Sequence, residues 1–383
     1  MKTLRRTEHE TPAAKRPAFL VSRGLLALED GTVLRGTLRG AAGPADGDLI
    51  FSTAAAGWGE ILTDPSYAGQ IVILTHPMVG SYRIDEAELE SGRIHPRALV
   101  VTRLVTPPRC SGRSLEELLI GAGIPALEGV DTRALTLQLR RGAPRRAVIR
   151  GGADAGAAVD EARAIPAWEA VDHVAAVSTR RPYSLPAAVE RRGRAALVEY
   201  GVKRSLLRAL TDRGLEVAVL PHDATVREIA ARRADLMILS PGPGDPARMT
   251  PQIAVVRELA AEAMAGGPPI LGICLGHQLL ALAAGATTRR LAVGHHGGNH
   301  AVLELATGLV DIGAHNHEVE VLDGPALAAA GYRVSHRDLN DGTLEGLVHA
   351  SGRIASVQFH PEGAPGPIDA ARLFDAAVQR ATP

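Results

Sequence analysis

From Ala195 onward the chain alternates short apolar runs with stretches of helical period. Ala195 to Tyr200, Leu215 to Leu220, Asp235 to Ser240 and Ile270 to Ile273 read as strands, with helices at Lys203 to Arg213, Thr225 to Arg232 and Pro251 to Met264 between them. A strand–helix–strand crossover brings each new strand back in the same direction, so this half is confined to an α/β fold: a mainly parallel sheet with flanking helices. Ligands of such sheets bind beyond the carboxyl ends of the strands. Chemistry is therefore sought where strands end.

The first half has a different rhythm. Leu25 to Leu28, Leu34 to Leu38, Asp48 to Ser52, Gln70 to Thr75 and Ala98 to Leu104 are short strand-like runs, with helical spacing at Ser114 to Gly121 and Asp131 to Arg141. This predicts a smaller, mixed α/β unit. At 383 residues the chain is long enough for two domains. The expected organisation is a polar, disordered tail at 1–17, an N-terminal domain at 18–150, a connector at 151–194 that is Ala-rich and then Arg/Pro-rich, and a C-terminal domain at 195–383.

The Ile270 to Ile273 strand ends in Gly272-Ile273-Cys274-Leu275-Gly276-His277-Gln278, which opens a helix. Glycines two before and two after a nucleophile suit a tight strand-to-helix turn, where a Cβ would crowd the backbone. A Cys274 thiolate there gains from the helix N-terminus, whose free N–H groups can also hold an oxyanion. A base is available at the end of the apolar run Ala355 to Phe359, which leads into His360-Pro361-Glu362. Extended residues two apart share a face, so Glu362 can fix the His360 imidazole. Nucleophile, base and orienting carboxylate together make a triad. The loop Pro241-Gly242-Pro243-Gly244-Asp245-Pro246 follows another strand, and its two prolines spoil a dinucleotide fingerprint but leave an oxyanion or substrate-backbone role open. The histidines of Gly294 to His300 and of Ala314 to His317 complete no familiar metal spacing, so no metal is expected.

Composition excludes other classes. Lys+Arg 42 equals Asp+Glu 42, leaving no cationic surplus for nucleic acid. No secretory signal or membrane-spanning run is found, and two cysteines, Cys110 and Cys274, make no disulfide framework. A cytoplasmic location, with no membrane partner, is the expectation.

Taken in order, these motifs resemble the small, glutamine-hydrolysing subunit of carbamoyl-phosphate synthase, a class I glutamine amidotransferase, over roughly 22 to 150 and 195 to 380. Further matching stretches are Gly59 to Ile71, Gly129 to Thr136, Gly201 to Arg204 and Leu339 to Thr343. The resemblance implies that Cys274 attacks the glutamine carboxamide, that His360 is its base and then its acid, and that Glu362 orients His360. It further implies oxyanion donors at the backbone N–H of Gly242 and Leu275, and L-glutamine contacts at Gly244, Gln278 and Asn316. No cofactor is implied on this chain. Ammonia would pass to a large subunit, where ATP with its divalent metal and bicarbonate complete carbamoyl phosphate for arginine and pyrimidine synthesis.

Ala54 stands where the family has a glutamine-contacting Ser, and Glu318 and Val319 stand where it has Gly-Phe. Pro241 replaces an Asn, and the segment around Cys110 lacks an Asn-Trp. The Glu318 carboxylate is expected to repel the α-carboxylate of glutamine, and one lost hydrogen bond to a charged group costs about 1.5 to 3 kcal/mol. The alternative to a working glutaminase is therefore a divergent paralogue with weakened glutamine binding, acting as a supporting partner or in a dedicated biosynthetic pathway. An amidotransferase for another synthetase lacks the long N-terminal domain, and a metal hydrolase lacks a motif.

Overall fold

A computed structural model describes residues 22–142 and 145–381. The tail expected at 1–17 lies outside the described residues.

The first half forms a closed barrel of seven strands: β1 (Ser22–Leu28), β2 (Val33–Gly40), β3 (Ala45–Ser52), β4 (Gln70–Leu74), β5 (Ala98–Val101), β6 (Pro125–Glu128) and β7 (Arg146–Gly151). β3, β4, β5 and β6 run parallel, while β1, β2 and β7 close the ring antiparallel. The parallel strands β4 and β5 are fully buried apolar runs, as expected of strands covered on both faces. The helix Leu115–Ala122 covers one flank. It begins at a Ser114 capping box with Glu117 and stops at Gly123, whose φ of 75° suits only glycine well.

The second half is a sheet of ten strands: β8 (Tyr183–Leu185), β9 (Gly193–Glu199), β10 (Leu215–Pro221), β11 (Leu236–Leu239), β12 (Ile270–Ile273), β13 (Thr288–Glu304), β14 (Val310–Val321), β15 (Tyr332–Asp338), β16 (Leu344–His349) and β17 (Ile354–Val357). Their order is β14-β13-β15-β16-β17-β12-β11-β9-β10-β8. The expected parallel core is β10, β9, β11, β12 and β17. Beyond it lies an antiparallel extension, β13 to β16, that the sequence pattern does not announce. These strands alternate apolar residues with His, Asp and Glu that pair inside the protein, so their buried face is partly polar and hides the apolar period.

The connector is more structured than expected. The helix Ala155–Ala164, capped by Asp154, packs Ala158, Val159 and Ala162 on Leu25, Ala27 and Val148 of the barrel. Further on, β8 joins the edge of the large sheet beside β10. Its Ala-rich sequence conceals a helix whose small buried face needs only methyl groups. Among the described residues no helix is long and apolar enough to cross a membrane.

Candidate active site

β12 and β17 are parallel neighbours in register, Ile273 beside Val357, so the chain leaves both strands at the same edge. Cys274 follows β12, and its N–H donates to Val357 O at 2.8 Å. It is buried, with φ 52°, a conformation that costs a non-glycine residue about 1 to 3 kcal/mol. The helix Leu275–Ala283 begins immediately after it. The flanking glycines have no room for a side chain. A Cβ on Gly276 would lie 2.2 Å from Leu239 O, and one on Gly272 2.6 Å from Leu280 Cδ1. In the helix's first turn the Gly276 N–H donates to Ser240 O, and the Leu275 N–H lies next to the thiol in the chain.

His360 and Glu362 follow β17. Ala314 of β14 pairs with His360 through a bridge, and His360 N–H donates to Ala314 O at 2.8 Å, which fixes the backbone. His360 Nδ1 donates to Glu362 Oε1 at 2.7 Å, leaving Nε2 as the ring nitrogen available to the thiol. Burial opposes the imidazolium, but the Glu362 carboxylate outweighs it and, with Cys274 adding, His360 is pushed up to about 10 while Lys203 pulls the other way. Burial likewise opposes the Glu362 charge, yet Lys203 and His360 hold its carboxyl down at about 2.

Lys203 is the participant to which the sequence gave no role. Its side chain is almost fully buried, with Nζ 3.2 Å from Glu362 Oε1 and donating to Gly363 O at 2.7 Å. A Lys directly before the amphipathic helix Arg204–Thr211, following the buried strand β9, was the available signal.

Gly242, Gly244, Gln278, Asn316, Glu318 and Val319 line a single narrow cavity with Cys274, of about 20 Å³. A Cβ on Gly242 would lie 2.4 Å from Tyr200 O, so only glycine fits that turn. Gln278 Nε2 is engaged, donating to Val319 O (2.8 Å) and Gln358 Oε1 (3.0 Å). Asn316 Nδ2 donates to Asp64 Oδ2 of the barrel half at 2.8 Å. Ala54 lies apart from this cavity, in a neighbouring one with Asp64, Lys203, Asn316 and His360.

The expectation that Glu318 presents a repulsive carboxylate needs correction. Glu318 Oε1 is 2.6 Å from His296 Nε2, and its Oε2 is bound by Arg145 and lies 3.4 Å from Arg290. Burial opposes its charge, but His296, Arg145 and Arg290 hold the carboxyl at about 2. Arg290 also bridges to Asp48 of the barrel at 2.5 Å and to Glu169. Five segments meet here, which no local spacing could foretell.

The comparisons with known proteins follow the same division. The family model "Carbamoyl-phosphate synthase small chain, CPSase domain" matches residues 26–149, and "Glutamine amidotransferase class-I" matches 196–380. The carbamoyl phosphate synthase small chain of Nitratidesulfovibrio vulgaris (strain Miyazaki F) is 40% identical over 372 residues, covering 92% of this chain and 96% of its own length. That of Methanosarcina acetivorans is 40% identical over 361 residues with the same coverage. A pyrimidine-specific small chain of Halalkalibacterium halodurans is 40% identical over 357 residues, again covering 92% and 96%. With a barrel half and an amidotransferase half matched in turn, and relatives alike over nearly their whole length, this chain belongs to the carbamoyl phosphate synthase small chain family.

Proposed function

We propose that this chain hydrolyses L-glutamine to glutamate and ammonia and delivers the ammonia to a large synthetase subunit. Cys274 Sγ, its proton taken by His360 Nε2, attacks the carboxamide carbon, and the N–H groups of Gly242 and Leu275 hold the developing oxyanion. His360 then protonates the leaving nitrogen, so ammonia departs and a thioester remains. The same imidazole takes a proton from water, whose oxygen adds to the thioester carbon and releases glutamate and the thiol. Glu362 keeps the imidazole in the required tautomer, and Lys203 fixes Glu362. Gly244, Gln278 and Asn316 position the substrate, beside Glu318 and Val319. Ammonia reaches the partner unprotonated, since ammonium has no lone pair with which to attack. No cofactor is assigned to this half-reaction; ATP and its divalent metal belong to the large subunit. Carbamoyl phosphate then feeds arginine and pyrimidine synthesis, in a reducing cytoplasm that keeps Cys274 free.

The observation that carries this reading is a buried cysteine at φ 52° ahead of a helix, beside a buried His360–Glu362 pair. With the large subunit, wild type is expected to make carbamoyl phosphate from glutamine or ammonia, whereas Cys274→Ala keeps only the ammonia reaction. Equal loss of both would sink the assignment. One observation favours the second reading, a supporting partner with weakened glutamine binding: a cavity of about 20 Å³ has room for about one water molecule. Release of glutamate, and labelling of Cys274 by a glutamine-like electrophile, separate the two.

A further inference from the structure

The histidines of 294–300 and 314–317 are not absorbed by the proposed reaction. In extended β14, Asn316 and Glu318 turn toward the active site, bonding Asp64 and His296, while His315 and His317 point to the opposite face. There they meet His295 of β13 and Glu345 of β16. One ligand atom from each of these four residues lies within 4.8 Å of all the others, and all four residues are buried.

The outward hydrogen bonds fix which ring nitrogens face in. His317 Nδ1 lies 3.0 Å from Val319 O, and His315 Nδ1 lies 3.3 Å from Gly313 O. A carbonyl can only accept, so both Nδ1 atoms donate. His295 Nε2 lies 2.9 Å from the Asp341 carboxylate and donates likewise. The inward atoms are therefore three lone pairs: His295 Nδ1, His315 Nε2 and His317 Nε2. They converge on another acceptor, the Glu345 carboxylate. His315 Nε2 is 2.9 Å from Oε2, while His295 Nδ1 and His317 Nε2 are 3.8 Å and 3.9 Å from Oε1. Both of these last nitrogens are buried without a hydrogen-bond partner among the described residues. A single proton on Glu345 would satisfy His315 alone. A cation at the centre satisfies all four groups at once, and an imidazole that donates outward while its other nitrogen faces inward is the arrangement metal-binding histidines adopt. His300 and Asp338 form an overlapping group with His295 and His315, but His300 is only partly buried and its Nδ1 lies 2.9 Å from the Asp338 carboxylate, so the fully buried set of four is the better cage.

We propose that His295, His315, His317 and Glu345 form a divalent transition-metal site, zinc by the chemistry of three imidazoles and one carboxylate, that ties β13, β14 and β16 together behind the strand facing Cys274. Four protein ligands close the coordination shell, so the ion is a structural brace that activates no water. Metal-free, the site would need a proton on Glu345 and a trapped water donating to His295 and His317.

The test uses full-length, untagged protein prepared without chelators. Elemental analysis is expected to find about one zinc per chain, and cobalt(II) exchanged into the protein should give the visible absorption of a tetrahedral site. Asp341→Asn, altered only in the outer partner of His295, is expected to weaken zinc binding roughly 10- to 100-fold, and Glu345→Gln at least as much. If Glu345→Gln fails to fold, Asp341→Asn, whose carboxylate is partly exposed, still decides the matter. Folded wild type that holds no zinc above trace and shows no cobalt spectrum after reconstitution would overturn the proposal in favour of the proton and water. The metal readouts do not depend on glutamine hydrolysis, so the site and the proposed activity stand or fall separately.

Discussion

The strain at Cys274 is held in place by its neighbours. Gly276 packs against Leu239 O, so Gly276→Ala forces the elbow to move. It is expected to cost about 1 to 3 kcal/mol of stability and most of the glutaminase rate, read by thermal unfolding and glutamate release. Unchanged values would mean that the close contact is not maintained in solution. Lys203→Met leaves Glu362 and His360 without their third partner. A loss of about 3 kcal/mol is expected, with kcat for glutamine falling more than KM changes. The pH dependence can be signed. Glu362 is held below its ordinary value, so its contribution is complete above about 4.5 and is lost as pH falls toward about 2. His360 is raised, so its contribution is complete below about 6.5 and is lost as pH climbs through about 10. The stability advantage of wild type over Glu362→Gln should therefore peak between about pH 4.5 and 6.5 and shrink on both sides, as denaturant titrations at several pH values would show. That Cys274, His360 and Glu362 stand together at one end of the sheet was legible because each follows a strand end that the sequence marks with Gly or Pro. Lys203 was not, because its partner lies far along the chain.

Among the elements, the parallel strands and their helices followed from apolar period alone, whereas β13 to β16 did not, since their buried positions are histidines and carboxylates whose partners sit on other strands. The helix Arg204–Thr211 carries a related surprise. No side-chain hydrogen bond caps it from Lys203, the residue at its start. Instead the carboxylate of Glu90, from the barrel half, accepts from Ser205 N–H at 2.9 Å and from its hydroxyl at 2.5 Å. Glu90→Ala is expected to lose about 0.5 to 2 kcal/mol, the range for a missing N-cap, and to loosen Lys203 just upstream, slowing glutamine hydrolysis. At the β13–β14 edge, Glu318→Gln leaves Arg145 without its carboxylate partner, while Arg290 keeps Asp48 and Glu169. Stability should fall, and KM for glutamine should drop by up to roughly tenfold as its α-carboxylate gains attraction. A rise in KM would show that Glu318 itself helps to hold the substrate.

For the whole molecule, the two halves are joined by buried polar links: Asp64 to Asn316, Asp48 to Arg290, and Glu90 to Ser205. Unfolding is expected to be a single cooperative transition in calorimetry, and Arg290→Leu should split or broaden it. The division into two units was visible in the change of rhythm near residue 195. Closure of the first unit into a barrel was not, because it depends on β7 returning to pair with both β1 and β3, a long-range match that short apolar runs cannot specify. The Glu90 cap has a practical corollary for anyone recombining related genes. A crossover anywhere between codons 90 and 205 separates a carboxylate from the helix turn it completes, so chimaeras should inherit the two positions from one parent or have them rematched by hand.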